Sequence, residues 1–181
     1  MLLKNNMIIK EELLADIRAF KAPDLAKQIL ATSQIGELVK LGLEKDRLLS
    51  SRAMWVLSHC NDMDNTCIKP HYSKLILNLK NKNLPDGVIR NTLRLFQENE
   101  IPNKYQVLML DTCYTYIKNP LVAIAIRSFA ITVVYQLSKT YPELRHELKL
   151  VLKDLSTRPD SPGMVSKIKN TLKLIDQHIQ K

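Results

Sequence analysis

The chain has 181 residues, of which 45% are hydrophobic, and a formal net charge of +9. A single domain of this length buries about 70% of the surface its unfolded chain exposes and folds without staples. Its four glycines cannot assemble a phosphate cradle or a dinucleotide fingerprint, so no cofactor is expected, and its three cysteines are an odd number unsuited to a disulfide framework, which points to a reducing cytoplasm.

Met1 to Leu14 is interrupted by Lys4, Asn5, Asn6, Lys10, Glu11 and Glu12, so no signal-peptide core is expected. Beyond it, apolar residues recur every three or four positions, as at Leu144, Leu148, Val151, Leu152 and Leu155, which makes one greasy helical face. This spacing predicts helices over residues 8 to 21, 24 to 32, 34 to 43, 46 to 61, 66 to 79, 86 to 98, 103 to 118, 120 to 139, 142 to 155 and 163 to 179. Pro23, Pro70, Pro85, Pro102, Pro120, Pro142, Pro159 and Pro162 fall at the seams, where a helix can start but not continue. Asn119 offers a cap before Pro120, and Thr140-Tyr141-Pro142-Glu143 has the spacing of a capping box. Ile124 to Val134 is rich in β-branched residues, but its length favours helix over strand. Leu121 to Tyr135 carries Arg127 at its centre and is shorter than the roughly 20 residues needed to cross a bilayer, so it reads as a buried helix and no membrane span is expected.

Arg90-Asn91-Thr92-Leu93-Arg94-Leu95-Phe96 returns as Lys169-Asn170-Thr171-Leu172-Lys173-Leu174-Ile175, with echoes at Arg52 and Arg127, giving spacings of 38, 37 and 42 between the basic residues. A period near 40 is that of stacked helical hairpins, each of which covers its neighbour's apolar face. The basic residue early in each second helix, preceded by an acidic or turn residue, resembles the HEAT and armadillo-like families. The Arg52-Ala53-Met54-Trp55-Val56-Leu57 segment together with Tyr141-Pro142-Glu143-Leu144 resembles short bacterial HEAT-like proteins. The resemblance implies an all-α fold, a right-handed α-α superhelix of about five hairpins over residues 1 to 181 as one domain, with the second helices lining its concave side.

Residues 1 to 65 hold nine basic and nine acidic side chains, whereas residues 66 to 181 hold eighteen and nine, so all the excess charge is C-terminal. Such a surface favours an acidic protein or nucleic acid. If Arg52, Arg90, Arg127 and Lys169 occupy one position per repeat, they form a ladder with two readings. Each can bond a neighbouring turn, for instance the Asp46 or Asp86 carboxylate, or the ladder together with Arg94, Lys167 and Lys173 can make a track for phosphates. Arg94 and Lys173, one turn further along, are expected to be the freer. The candidate partner-binding residues are therefore Arg90, Arg94, Arg127, Lys167, Lys169 and Lys173.

Apparent catalytic motifs fail on context. Asp62-Met63-Asp64-Asn65-Thr66 matches a D-x-D-x-T phosphotransfer spacing, but that chemistry needs a strand ending at the first aspartate, and Trp55 to Cys60 reads as helix. A polar turn is the expected role. His59, Cys60, Cys67 and His71 carry metal-ligand chemistry without the tight Cys pair of zinc knuckles. Cys113 has no base beside it in sequence, and Trp55, Phe96 and Phe129 read as core. The chain is expected to be a non-enzymatic, cytoplasmic module that binds an acidic protein through its concave face. The alternative is nucleic acid held by its backbone, in the manner of HEAT-like DNA glycosylases and without cleavage.

Overall fold

A computed structural model describes residues 9–15, 21–158 and 160–179. The N-terminal segment from Met1 to Ile8, part of the helix expected over residues 8 to 21, and the seam at Pro159 lie outside the described residues. Among the described residues every regular element is helical, and the Ile124 to Val134 run is helix rather than strand. The chain forms two compact units. One comprises the residues up to Leu95 with Asn99–Ile101, and the other Phe96–Glu98 with Pro102 onwards.

In the first unit, a helical turn at residues 9–14 precedes α1 (Ala22–Ala31), α2 (Ile35–Gly42), α3 (Arg47–Met63), a 3-10 turn (Lys69–His71), α4 (Tyr72–Asn78) and α5 (Asp86–Leu95). Helix α1 begins with Pro23 in its first turn, where a missing N–H costs nothing, and buries Ala22, Leu25, Ala26 and Ile29 on one face. It ends in a Schellman motif: the Gln34 N–H donates to the Ile29 carbonyl at 3.0 Å and Ser33 N–H to Leu30 at 3.1 Å. Ser33 takes the left-handed φ of 54° that this motif requires, which lets α2 fold straight back. Helix α3 is the hub, packed against α1, α2 and α5. Its start is fixed by Asp46, whose carboxylate accepts from the Leu48 and Leu49 N–H groups at 2.9 Å each. Its buried arc, Leu49, Ala53, Met54, Val56, Leu57 and Cys60, is wide because it has neighbours on several sides.

Helices α3 and α5 meet closely at Gly87. A Cβ built there would lie 2.7 Å from Ser51 Cβ and 2.8 Å from its Oγ. Alanine elsewhere in a helix gains about 1 kcal/mol over glycine, but here forcing two helices apart costs about 1–3 kcal/mol and should win. Gly87→Ala is therefore expected to lower the urea midpoint, and adding Ser51→Gly should restore part of the loss. A Gly87→Ala chain as stable as the parent would show that the contact is slack.

The second unit contains α6 (Asn103–Lys118), α7 (Ile124–Thr140), α8 (Glu143–Ser156) and α9 (Pro162–Ile179). Helix α7 is its hub, packed on α6, α8 and α9, and α8 also packs on α9. Two expected caps are not formed. Asn119 Oδ1 accepts from Leu121 N–H at 3.0 Å, a turn of its own, and the helix starts four residues beyond Pro120, at Ile124. Thr140 is the last residue of α7, so its hydroxyl does not reach the start of α8, where no side-chain cap is made. A capping hydroxyl must stand on extended backbone, and helical backbone turns it away.

The sequence period reappears in the contacts. Polar side chains bridge from one second helix, or the turn that follows it, to the preceding second helix at separations close to one repeat, as with Arg94 and Ser58 at 36, Asn99 and Asn61 at 38, and Lys167 and Thr132 at 35.

Candidate functional site

The basic residues do not share one register. Arg52 is the sixth residue of α3, Arg90 the fifth of α5, Arg127 the fourth of α7 and Lys169 the eighth of α9. Arg52 and Arg90 are 38 apart, the separation of the bonded Asn61 and Asn99, whereas Arg127 alone of the four is buried. Arg52 Nη1 donates to the Leu13 and Ala15 carbonyls at 2.8 Å and to Leu14 at 3.2 Å, so it caps the C-terminal end of the turn at residues 9–14. The Asp46 carboxylate, expected as an arginine's partner, is occupied by the backbone of its own helix. Arg127 is buried, its Nη1 2.8 Å from Asp160 Oδ2.

Arg94 is not a free cation. Its Nη1 donates to Ser58 Oγ and its Nη2 to Asp62 Oδ2, each at 2.7 Å. Lys167 is also engaged: its half-buried Nζ donates to Thr132 Oγ1 at 2.7 Å, and burial lowers its pKa. Of the six candidates, Arg90, Lys169 and Lys173 are exposed and make no hydrogen bond or ion pair among the described residues. Arg90 stands in the first unit, whereas Lys169 and Lys173 share a face of α9 in the second.

That α9 face has two adjoining stripes. Met164, Ile168, Thr171 and Ile175, at spacings of three and four, are buried in the unit. Val165, Lys169, Leu172, Lys173 and Asp176 form the next stripe and, with Leu155 of α8, line an open groove of about 770 Å³. Val165 is 53% exposed although it is apolar. The groove's carboxylates are committed elsewhere: Asp160 holds Arg127 at 2.8 Å, and Asp176 holds Lys149 at 2.6 Å. Arg158, also on the rim, pairs with Asp154 at 2.7 Å. Among the described residues, the uncompensated charge over this aliphatic floor is that of Lys169 and Lys173.

The motifs with catalytic spacing take structural places. Asp62 ends α3 against Arg94, and Asp64 accepts from Thr66 N–H at 2.8 Å and from its hydroxyl at 2.7 Å, a polar turn that holds the Asp64 carboxyl below its ordinary pKa. Burial pushes the Cys60 thiol up to about 12 and Cys67 up to about 11, and fully buried Cys113 is raised as well, so none has the electropositive, accessible setting of a reactive thiolate. His59 packs edge-on against Trp55 at 5.7 Å, and its pKa is lowered by burial and by Arg94, against the pull of Asp62. Burial, then Lys74, lowers that of His71. Among the described residues no three of His, Cys, Asp and Glu converge on a point, and no helix is long and apolar enough to cross a membrane. Phe96 is buried, while Trp55 and Phe129 are partly so.

One polar feature escaped the sequence reading. Asn61 and Asn99 are buried and bonded to each other, with Tyr72 donating to Asn99 at 2.9 Å. Their separation of 38 is that of Arg52 and Arg90, and it was the signal available.

Comparison with the curated proteins and with the solved structures finds no match. The family model described as a HEAT repeat domain matches residues 9–175. That match spans nearly the whole chain and agrees with the all-α hairpins and the one-repeat spacing of their polar bridges, so the chain belongs to the HEAT repeat family.

Proposed function

We propose that this HEAT repeat chain is a binding module without chemistry of its own, which takes an acidic protein partner on the second helices of its repeats. The observation that carries the reading is the α9 groove, where Lys169 and Lys173 stand unpaired beside exposed Val165 and partly exposed Leu172. Apolar area beside uncompensated charge is what a protein interface uses: the apolar centre supplies affinity and the flanking charge selects and orients the partner. A phosphate track has no use for the aliphatic floor, and among the described residues the groove offers no aromatic ring on which a base could stack. The three free thiols accord with a reducing cytoplasm as the place of action.

A photo-crosslinking residue placed at position 173 in cells tests the assignment. The expected result is protein adducts that survive nuclease treatment and disappear when Lys169→Glu is added. Adducts to nucleic acid alone would replace this reading with the backbone-binding one.

A further inference from the structure

The shape of the groove says more about its occupant than its charge does. The lining side chains of α9 run from Val165 through Ile168, Lys169, Leu172 and Lys173 to Asp176. Counted from Val165, Lys169 lies four residues on, Leu172 and Lys173 seven and eight, and Asp176 eleven, which keeps them on one face of the helix. At about 1.5 Å per residue that stretch is about 16 Å long, which is about three helical turns. Leu155 and Ser156 at the end of α8, with Arg158 and Asp160 of the loop that follows, line the rest of the groove, and its open side can receive the side chains of a third helix. The apolar positions are at the bottom, and the two unpaired ammonium groups lie on one flank, a turn apart.

Resting on the reading of the chain as a protein-binding module, we propose that this groove docks an amphipathic helix of a partner. The partner's apolar stripe covers Val165 and Leu172, and carboxylates one turn apart on its flank meet Lys169 and Lys173. The helix-in-groove mode needs apolar anchors at i, i+3 or i+4, and i+7, which matches the spacing that the groove presents. Acidic flanks are selected because the groove's own carboxylates are already paired with Arg127 and Lys149 and cannot neutralise the lysines. A basic helix meets two uncompensated cations, and an extended peptide finds no exposed strand edge, because the groove is built from helices.

Selection from a displayed library of peptides about 18 residues long, against the full chain at about 0.15 M salt, tests this. The enriched peptides are expected to show helical apolar spacing with Asp or Glu beside it. They should lose at least about tenfold in affinity against Lys169→Glu, Lys173→Glu, and also against Val165→Ser. All three side chains are exposed, and an unchanged circular dichroism spectrum confirms that the variants fold. Enriched peptides that lack a helical period, or that bind the variants as tightly as the parent, would overturn the proposal. So would a self-associating chain whose dimer is broken by Val165→Ser, or an oligonucleotide of equal charge that outcompetes the peptides. Protein adducts at position 173 together with non-helical peptides would leave the module reading in place and remove only the helix.

Discussion

Replacing Asp160 with asparagine should cost about 3–5 kcal/mol of unfolding free energy, the usual loss when a buried ion pair is broken from one side. The Arg127 side chain is 4% exposed and its Nη1 lies 2.8 Å from Asp160 Oδ2, while its Nε is buried without a hydrogen bond. A lysine left alone could shed its proton, but a guanidinium cannot, so Asp160→Asn strands a full charge in the core of the second unit. The reverse change should hurt less. Arg127→Met leaves Asp160, whose side chain is 16% exposed, with a route to water and a bond from its own Ser161 N–H neighbour at 2.7 Å. The pair Arg127→Met, Asp160→Asn should recover most of the loss, because apolar replacement of a desolvated pair is often neutral. Urea unfolding at neutral pH measures all three. An Asp160→Asn chain within about 1 kcal/mol of the parent would show that the guanidinium finds water, and the buried-pair account would fail. The pair also matters for position. It ties Asp160, two residues before the start of α9, to α7, and so sets where the stripe bearing Lys169 and Lys173 begins.

The architecture was legible because hydrophobic burial repeats. Each hub helix must hide a similar arc, and Leu49, Ala53, Leu57 and Cys60 in α3 find their counterparts in Ile126, Ala130, Val134 and Leu137 in α7, at a separation of 77, or two repeats. The basic ladder was misleading because it counted residue types without phase. A shift of one residue turns a side chain by about 100°, so Arg127 went into the core and Lys169 into solvent from what looked like one motif. Arg94 looked free because its partners, Ser58 and Asp62, lie a whole repeat earlier in the chain. The groove was unreadable for a related reason. Its character depends on Asp160 and Asp176 being consumed by Arg127 and Lys149, and those pairings exist only after α7, α8 and α9 have packed. Thr140 failed as a cap because a local motif cannot say how far the helix before it continues.

The buried asparagines give the other large effect, this time in the first unit. Asn99 is 9% exposed and uses both ends of its amide: Nδ2 donates to Asn61 Oδ1 at 2.8 Å and to the Leu95 carbonyl at 2.7 Å, while Oδ1 accepts from the Tyr72 hydroxyl at 2.9 Å. The bond to Leu95 satisfies a carbonyl at the C-terminal end of α5, and the bond to Asn61 ties that end to α3. Asn99→Ala removes both donations, and at about 1–3 kcal/mol for each buried group left unsatisfied it should cost about 2–6 kcal/mol. Asn61→Ala, Asn99→Ala together should cost less than the sum of the single changes, because the second truncation removes a group that the first had stranded. Asn99→Asp is the sharper test, since it keeps the shape and deletes the donor. The new carboxylate would face Asn61 Oδ1 in a buried setting, so its folded-state pKa should rise above the unfolded value of about 3.9. A group whose folded pKa is raised binds its proton more tightly in the native state, so the deficit of Asn99→Asp relative to the parent should shrink as the pH falls from 7 towards 4. The protonated carboxyl regains an O–H to donate to Asn61, which restores the link. If the deficit stays constant across that range in paired urea titrations, the donation from Asn99 to Asn61 is not what holds α5 to α3.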